Sequence, residues 1–306
     1  MKKVLLVQYT QAGQLSDVLS HLSAPLRSTQ GIELTVLTLQ PKAAYPFPWP
    51  IFRFFDTFPE AVYLDPPELE PLGLEAGARY DLIILGYQVW FLSPSLPVTA
   101  LLKGSQAPAL FKDTPVVTVI ACRDMWLMAQ EQMKTLLAAL GAKLVGNVAL
   151  VDEAGSLGSF LATPVWMMTG KRGPHLGGLI PRGGVAPDKI AASSRFGERI
   201  AQALAAGAPL DEGLLKGLGA VKVNDRLIAS EKTARRSFLI WGRLLRSLGP
   251  QGHWARQAVL VVYIAFLVLM LASVVPTTMI LKTLLRPFTR GRVARQVEYY
   301  GAPSGA

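Results

Sequence analysis

Residues 10–16, Thr-Gln-Ala-Gly-Gln-Leu-Ser, have the composition of a loop that can cradle a phosphate. An apolar run ends at Tyr9, small and polar residues follow, and apolar residues at helical spacing begin after them. Where a strand passes into a helix, unpaired backbone N–H groups and the positive end of the helix dipole favour an anion. Gly13 permits a close approach of the backbone, and the hydroxyls of Thr10 and Ser16 can add donors. The main-chain amides of Gln11, Ala12, Gly13, Gln14 and Leu15 are available whatever their side chains do. A plain strand-to-helix turn containing one glycine is the competing reading.

Two later stretches carry further chemistry. "GYQVWFLSPSLPVTALL" (86–102) places Gln88, Val89, Trp90 and Phe91 just after an apolar run. "ACRDMWLMAQEQMKTLL" (121–137) places Cys122, Arg123, Asp124 and Trp126 just after another. Aromatic faces suit a planar ligand, although Trp90 and Trp126 read equally as core residues. Asp124 can act as a base and Arg123 can stabilise a developing enolate; a surface ion pair or helix cap is the bland alternative. One cysteine and three histidines (His21, His175, His253) are scattered along the chain. No cluster has metal-ligand spacing, and no local signature marks a nucleophile for a Claisen condensation, so we expect no metal.

The elements that must position these residues follow from hydrophobic patterning. Short β-rich runs at 3–9, 32–39, 81–87, 115–122 and 143–151 alternate with helical patterns at 13–29, 95–103, 124–140 and 187–206. Runs apolar throughout imply strands buried on both faces of a parallel sheet. The expected fold class is α/β, a doubly wound five-stranded parallel sheet. Its ligand crevice lies at the carboxyl ends of the strands, where the quoted loops fall. Two insertions interrupt the alternation: an aromatic, proline-rich segment at 45–67, expected to cap something apolar, and a glycine-rich one at 155–184.

The net charge of +10 would suit nucleic acid, but its distribution does not. Lys232 to Val297 contains eleven basic residues and no Asp or Glu, which leaves the rest of the chain at −1. That basic stretch brackets residues 257–281, twenty-five residues without a charge. As a helix they would extend roughly 37 Å, more than the ~30 Å hydrocarbon core of a bilayer. We expect a membrane helix at 257–281 preceded by a basic juxtamembrane linker with helices at 207–256 and followed by a basic tail at 282–306. Lipid headgroups, and no nucleic acid, are the expected partners of this charge. A simple span puts the tail outside; a bend at Pro276 or an interfacial helix keeps it on the same side. With no cleavable leader legible at the N-terminus, the first domain is expected in the cytoplasm of a bacterium, at its inner membrane.

The three loops together resemble the flavodoxin-like superfamily. "YTQAGQLS" matches its phosphate loop, and "YDLIILGYQVWFLSPSLPVTALL" looks like its third strand and flavin-flanking loop, over about residues 1–206. The resemblance implies FMN as cofactor, held by Thr10 to Ser16 and flanked by Gln88–Phe91 on one side and by Cys122 and Trp126 on the other. It departs from the family at Ala12 and Leu15, where hydroxyl residues are common. More narrowly, "YPFPWPIFRFFDTFPEAVYL", "ACRDMWLMAQE" and "LLKGLGAVKVNDRLIASE" resemble the DarA-type proteins of bacterial dialkylresorcinol and aryl-polyene pathways. That resemblance implies an oxidoreductase that aromatises an alkylated cyclohexanedione, with a ketosynthase and an acyl carrier protein as pathway partners. A flavodoxin-type quinone reductase or electron carrier, and a flavin-free membrane scaffold, are the alternatives.

Overall fold

A computed structural model describes residues 1–305 except Ala76, Glu153 and Ala154. Side chains of 155–161, 271, 272, 274–276 and 278–288 lie outside the description. Five parallel strands form one sheet: β1 (Lys2–Gln8), β2 (Ile32–Thr38), β3 (Leu82–Tyr87), β6 (Pro115–Cys122) and β7 (Lys143–Val151). A two-stranded antiparallel ribbon, β4 (Val89–Trp90) with β5 (Ser93–Pro94), sits just after β3. The order β2-β1-β3-β6-β7 reverses between β1 and β3. That is the flavodoxin-like order, with its switch point between the first and third strands of the sheet.

The strands are parallel because helices return the chain between them, and both faces are therefore covered. Val4, Leu6, Ile84 and Val119 face α1 (Gln14–Ser28) and α9 (Ser194–Ala205). Leu5, Val7, Leu85 and Ile120 face the other layer, made by α4 (Leu96–Lys103), α5 (Ala107–Phe111) and α6 (Leu127–Ala139). Helices α1 and α9 approach so closely that a Cβ on Gly197 would lie 1.8 Å from the Leu22 carbonyl oxygen. The helix expected at 187–206 is divided into α8 (Pro187–Ala191) and α9, and the Ser193 hydroxyl at the break donates to the Ile190 carbonyl at 2.6 Å. The aromatic insertion folds into two short helices, α2 (Ile51–Asp56) and α3 (Phe58–Tyr63). The glycine-rich one contains α7 (Gly155–Thr169).

The C-terminal third packs on this domain. Leu214, Leu215 and Ala220 are buried against the sheet, and the Ala149 amide donates to the Ala220 carbonyl at 2.8 Å. Helix α10 (Ile228–Ser247) lies along α3 and α6, and α11 (Trp254–Gly301) follows it. The expected membrane helix at 257–281 falls inside α11, partly outside the described side chains. Among the described residues no helix is long and apolar enough to cross a membrane.

The first turns of that segment do not stand free. Leu260 and Tyr263 are fully buried, and Tyr263 stacks on Phe58 with ring centroids 4.7 Å apart. Arg256 is anchored in a buried cluster, its Nε 2.6 Å from Asp56 Oδ1 and its Nη2 2.7 Å from Glu60 Oε2. The far end of α11 returns to the same domain. Tyr299 donates to Glu131 at 2.7 Å, Tyr300 is buried, and the Asn147 amide donates to the Ser304 hydroxyl at 3.0 Å. Both described ends of α11 thus contact the same domain.

Candidate functional site

The junction of β1 and α1 has a left-handed residue at its centre. Gly13 has φ 81° and ψ −23°, and a Cβ built there would meet nothing within 4 Å. Every polar side chain of the loop is bonded within the protein. Thr10 Oγ1 accepts from the Gly13 amide at 3.1 Å, and Ser16 donates to Gln8 Oε1 at 3.0 Å. Gln11 donates to the Pro46 carbonyl at 3.1 Å and accepts from the Trp49 indole at 3.3 Å. Gln14 is buried, its Oε1 accepting the Val185 amide at 2.8 Å, and Leu15 is a core residue. What remains free is main chain. Among the described residues, no acceptor takes the amides of Gln11, Ala12, Gln14, Leu15 and Ser16. Arg172, from the glycine-rich insertion, donates to the Ala12 carbonyl at 3.4 Å and lies over the Trp166 ring at 4.9 Å.

Across the switch point, Trp90 is clasped by aromatic edges. The ring centroids of Tyr45, Trp49 and Tyr9 lie 5.0, 5.8 and 6.1 Å from it, all near perpendicular. Trp90 is thus largely a packing residue, buried with the insertion over it. Phe91 turns away in a left-handed conformation and packs on Phe54 and Phe58. Val89 pairs with Pro94 in the short ribbon. Gln88 Oε1 and Ser95 Oγ are buried and, among the described residues, have no hydrogen-bond partner. Orphaned buried polar atoms are rare, and an ordered water or a bound group is the usual partner of such an atom.

The loop after β6 is built differently. Cys122 ends the strand, and burial pushes its thiol pKa well above the ordinary value, so it is held as a thiol and not as a nucleophilic thiolate. Trp126 is fully buried at the start of α6. Asp124 accepts from Asn224 Nδ2 at 2.7 Å, and its pKa is raised chiefly by burial. Arg123 reaches Met125 Sδ at 3.7 Å, and burial lowers its pKa. Beside them stands Glu231 of α10, fully buried, with Oε2 accepting the Met128 amide at 3.0 Å and the Leu127 and Trp126 amides also turned to the carboxyl. Burial raises Glu231 to about 8, and the charge of Asp124 adds to the rise. Two carboxyls with different surroundings therefore share this edge, one of them protonated at neutral pH.

No family model matches the chain, and no curated protein matches it. Solved structures resemble it. A flavoprotein from Lactobacillus acidophilus NCFM, in complex with FMN, is 16% identical with a TM-score of 0.39, over 48% of this chain and 92% of that one. Oxidised Flavodoxin 1 from Bacillus cereus is 17% identical with a TM-score of 0.32, over 55% and 98%. A flavone reductase is 12% identical with a TM-score of 0.35, over 66% and 62%. At such identities the likeness concerns the path of the chain and says nothing of what it binds.

Arg172 and Glu231 were not singled out from sequence. Arg172 sits in "TGKRGPHLGG", where a basic pair among glycines is the only signal. Glu231 is the last acidic residue before the long acid-free stretch, and nothing local distinguishes it from a solvated helix residue. Among the described residues, no group of three or more His, Cys, Asp or Glu could hold a metal.

Proposed function

We propose that this chain is an FMN-dependent oxidoreductase attached to a bacterial inner membrane on the cytoplasmic side. Its substrate would be an alkylated cyclic lipid precursor, most specifically a dialkylcyclohexanedione aromatised to a dialkylresorcinol. The observation that carries the flavin reading is the set of open amides of Gln11, Ala12, Gln14, Leu15 and Ser16, at the switch point, with Arg172 beside them. FMN fits these residues. Its phosphate would take the amides and the guanidinium, whose N–H donors stand in for the hydroxyls that Ala12 and Leu15 lack. The orphaned Gln88 Oε1 is an acceptor of the kind a flavin ring N–H needs, and Ser95 adds a hydroxyl.

When bound, FMN would supply the two-electron acceptor for the substrate's hydride. The protein's own residues handle the proton. Aromatisation of the dione releases two hydrogens, one as hydride and one as a proton from a carbon beside a carbonyl. Asp124 takes that proton, oriented by Asn224. Glu231 keeps its own proton at neutral pH, so the base faces one negative charge fewer, and Arg123 offsets charge that develops on the substrate oxygen. The wall formed by Tyr45, Trp49 and Phe54 gives an alkyl chain an apolar surface beside the crevice. A ketosynthase working with an acyl carrier protein is the class of partner that would deliver such a substrate.

Full-length protein purified in detergent and incubated with FMN should turn yellow and retain flavin absorbance through gel filtration. Failure to bind with excess FMN would remove both this reading and that of an electron carrier, and leave a flavin-free scaffold. The side chains of Thr10 and Ser16, already engaged within the protein, are the observation that favours the scaffold.

A further inference from the structure

Helix α11 cannot be straight. Tyr263 packs on Trp241 of α10 with ring centroids 5.3 Å apart, and Tyr300 lies under Lys232 of the same helix, 5.3 Å from its ammonium. Lys232 and Trp241 are about 14 Å apart along α10, whereas a straight helix from Tyr263 to Tyr300 would rise about 55 Å. The chain therefore leaves the domain and comes back to it.

The two helices each have one face on the protein and one in the open. On α11, Arg256, Leu260 and Tyr263 point to the domain. Trp254, Ala258, Val261, Val262, Val268 and Leu269 form the opposite stripe, all exposed and all apolar, with Trp254 77% accessible. On α10, Glu231, Gly242 and Leu245 face inward, while Arg236, Ile240, Arg243 and Leu244 form an outer stripe at helical spacing. An apolar stripe of this length is not left in water without a partner. The charge around it names the partner: from Lys232 to Val297 there is no acid, and Arg290, Arg292 and Arg295 are exposed at the returning end.

We propose that the outer faces of α10 and α11 form one surface that docks on an anionic lipid leaflet, with both ends of α11 on the same side. The attachment is monotopic, not spanning. Trp254 sits where an interfacial anchor would, and the arginines meet the headgroups. This deepens the membrane attachment given above and does not depend on flavin.

Flotation of the full-length protein with extruded vesicles tests it. Vesicles of phosphatidylcholine doped with phosphatidylglycerol should bind at least tenfold more tightly than phosphatidylcholine alone, and raised salt should reduce the difference. V261D and V262D lie on the open stripe, leave the buried face intact, and should each weaken binding tenfold. Equal binding to both vesicles, or unaltered binding by these variants, would overturn the surface. A lipid-free dimer abolished by V261D would overturn it in favour of a second copy of the chain. In a C122S background, S247C and E298C should both react with an impermeant maleimide in inverted membrane vesicles and neither in intact spheroplasts. Reaction of the two from opposite sides would establish a span and overturn the one-sided topology. Flavin content is read separately by absorbance, so a colourless protein that still floats removes only the redox reading.

Discussion

The loops after β1 and after β6 lie at the carboxyl edge of the same sheet but are built in opposite ways. After β1 the polar side chains of Thr10, Gln11, Gln14 and Ser16 bond one another's surroundings, and the main-chain amides are left open. After β6 the amide of Met128, at the start of α6, is taken by Glu231, and it is side-chain groups that hold shifted proton affinities. A site made of backbone recognises charge by geometry and survives the loss of individual hydroxyls. A site made of buried carboxyls acts through desolvation, so removing one group changes the energetics of the whole edge. Substitutions should therefore have larger effects on the second loop than on the first.

The largest expected effect is at Glu231. Its folded pKa of about 8 lies above the ordinary glutamate value of 4.5. The folded state thus binds this proton more tightly than the unfolded state. The resulting stability is fully present below pH 4.5, declines as pH rises above that, and is gone above pH 8. The span corresponds to roughly 3–5 kcal/mol. Glu231→Gln keeps an acceptor for the Met128 amide and loses the titration. Urea unfolding at pH 5 and pH 9 should show the wild type losing stability across that interval by roughly that amount more than the variant. Parallel behaviour of the two would show that Glu231 titrates normally.

At the first loop the side chain with most to lose is Arg172, which came from another segment. Arg172→Ala should weaken FMN about thirtyfold, near 2 kcal/mol for a charge-assisted phosphate contact, and leave riboflavin affinity unchanged. Equal losses for the two ligands would mean that Arg172 supports the fold of the insertion through Trp166 and not the phosphate. Gly13→Val follows. A β-branched residue at φ 81° costs roughly 1–2 kcal/mol, so FMN affinity should fall about tenfold in isothermal titration. Unchanged affinity would move the phosphate elsewhere.

The same contrast explains what was legible in the sequence. The five strands were readable because burial on both faces leaves runs such as Val4–Val7 and Leu82–Leu85 with no polar interruption. Gly13 was readable because turn chemistry is local. Arg172 meets Ala12 across 160 residues and Glu231 meets Met128 across 103, and no periodicity records such meetings. Residues 257–281 read as lipid-facing from composition alone. A buried protein face and a lipid face demand the same residues, and only the docking of Leu260 and Tyr263 on Phe58 separates them.

The smallest effect sharpens the comparison most. If the phosphate loop works through its backbone, a hydroxyl restored at residue 12 should help little. Ala12→Thr adds one donor beside amides already free and beside the Arg172 guanidinium, which accounts for much of the available charge. A net gain of about 0.5–1 kcal/mol is the ordinary value of one added hydrogen bond, which is a two- to fivefold tighter FMN. In the R172A background the same substitution should recover more, because the phosphate then lacks its cation and each remaining donor bears a larger share. Titration of the single and double variants gives the coupling directly. Additive effects would mean that residue 12 and Arg172 serve different groups, and that the backbone alone holds the phosphate.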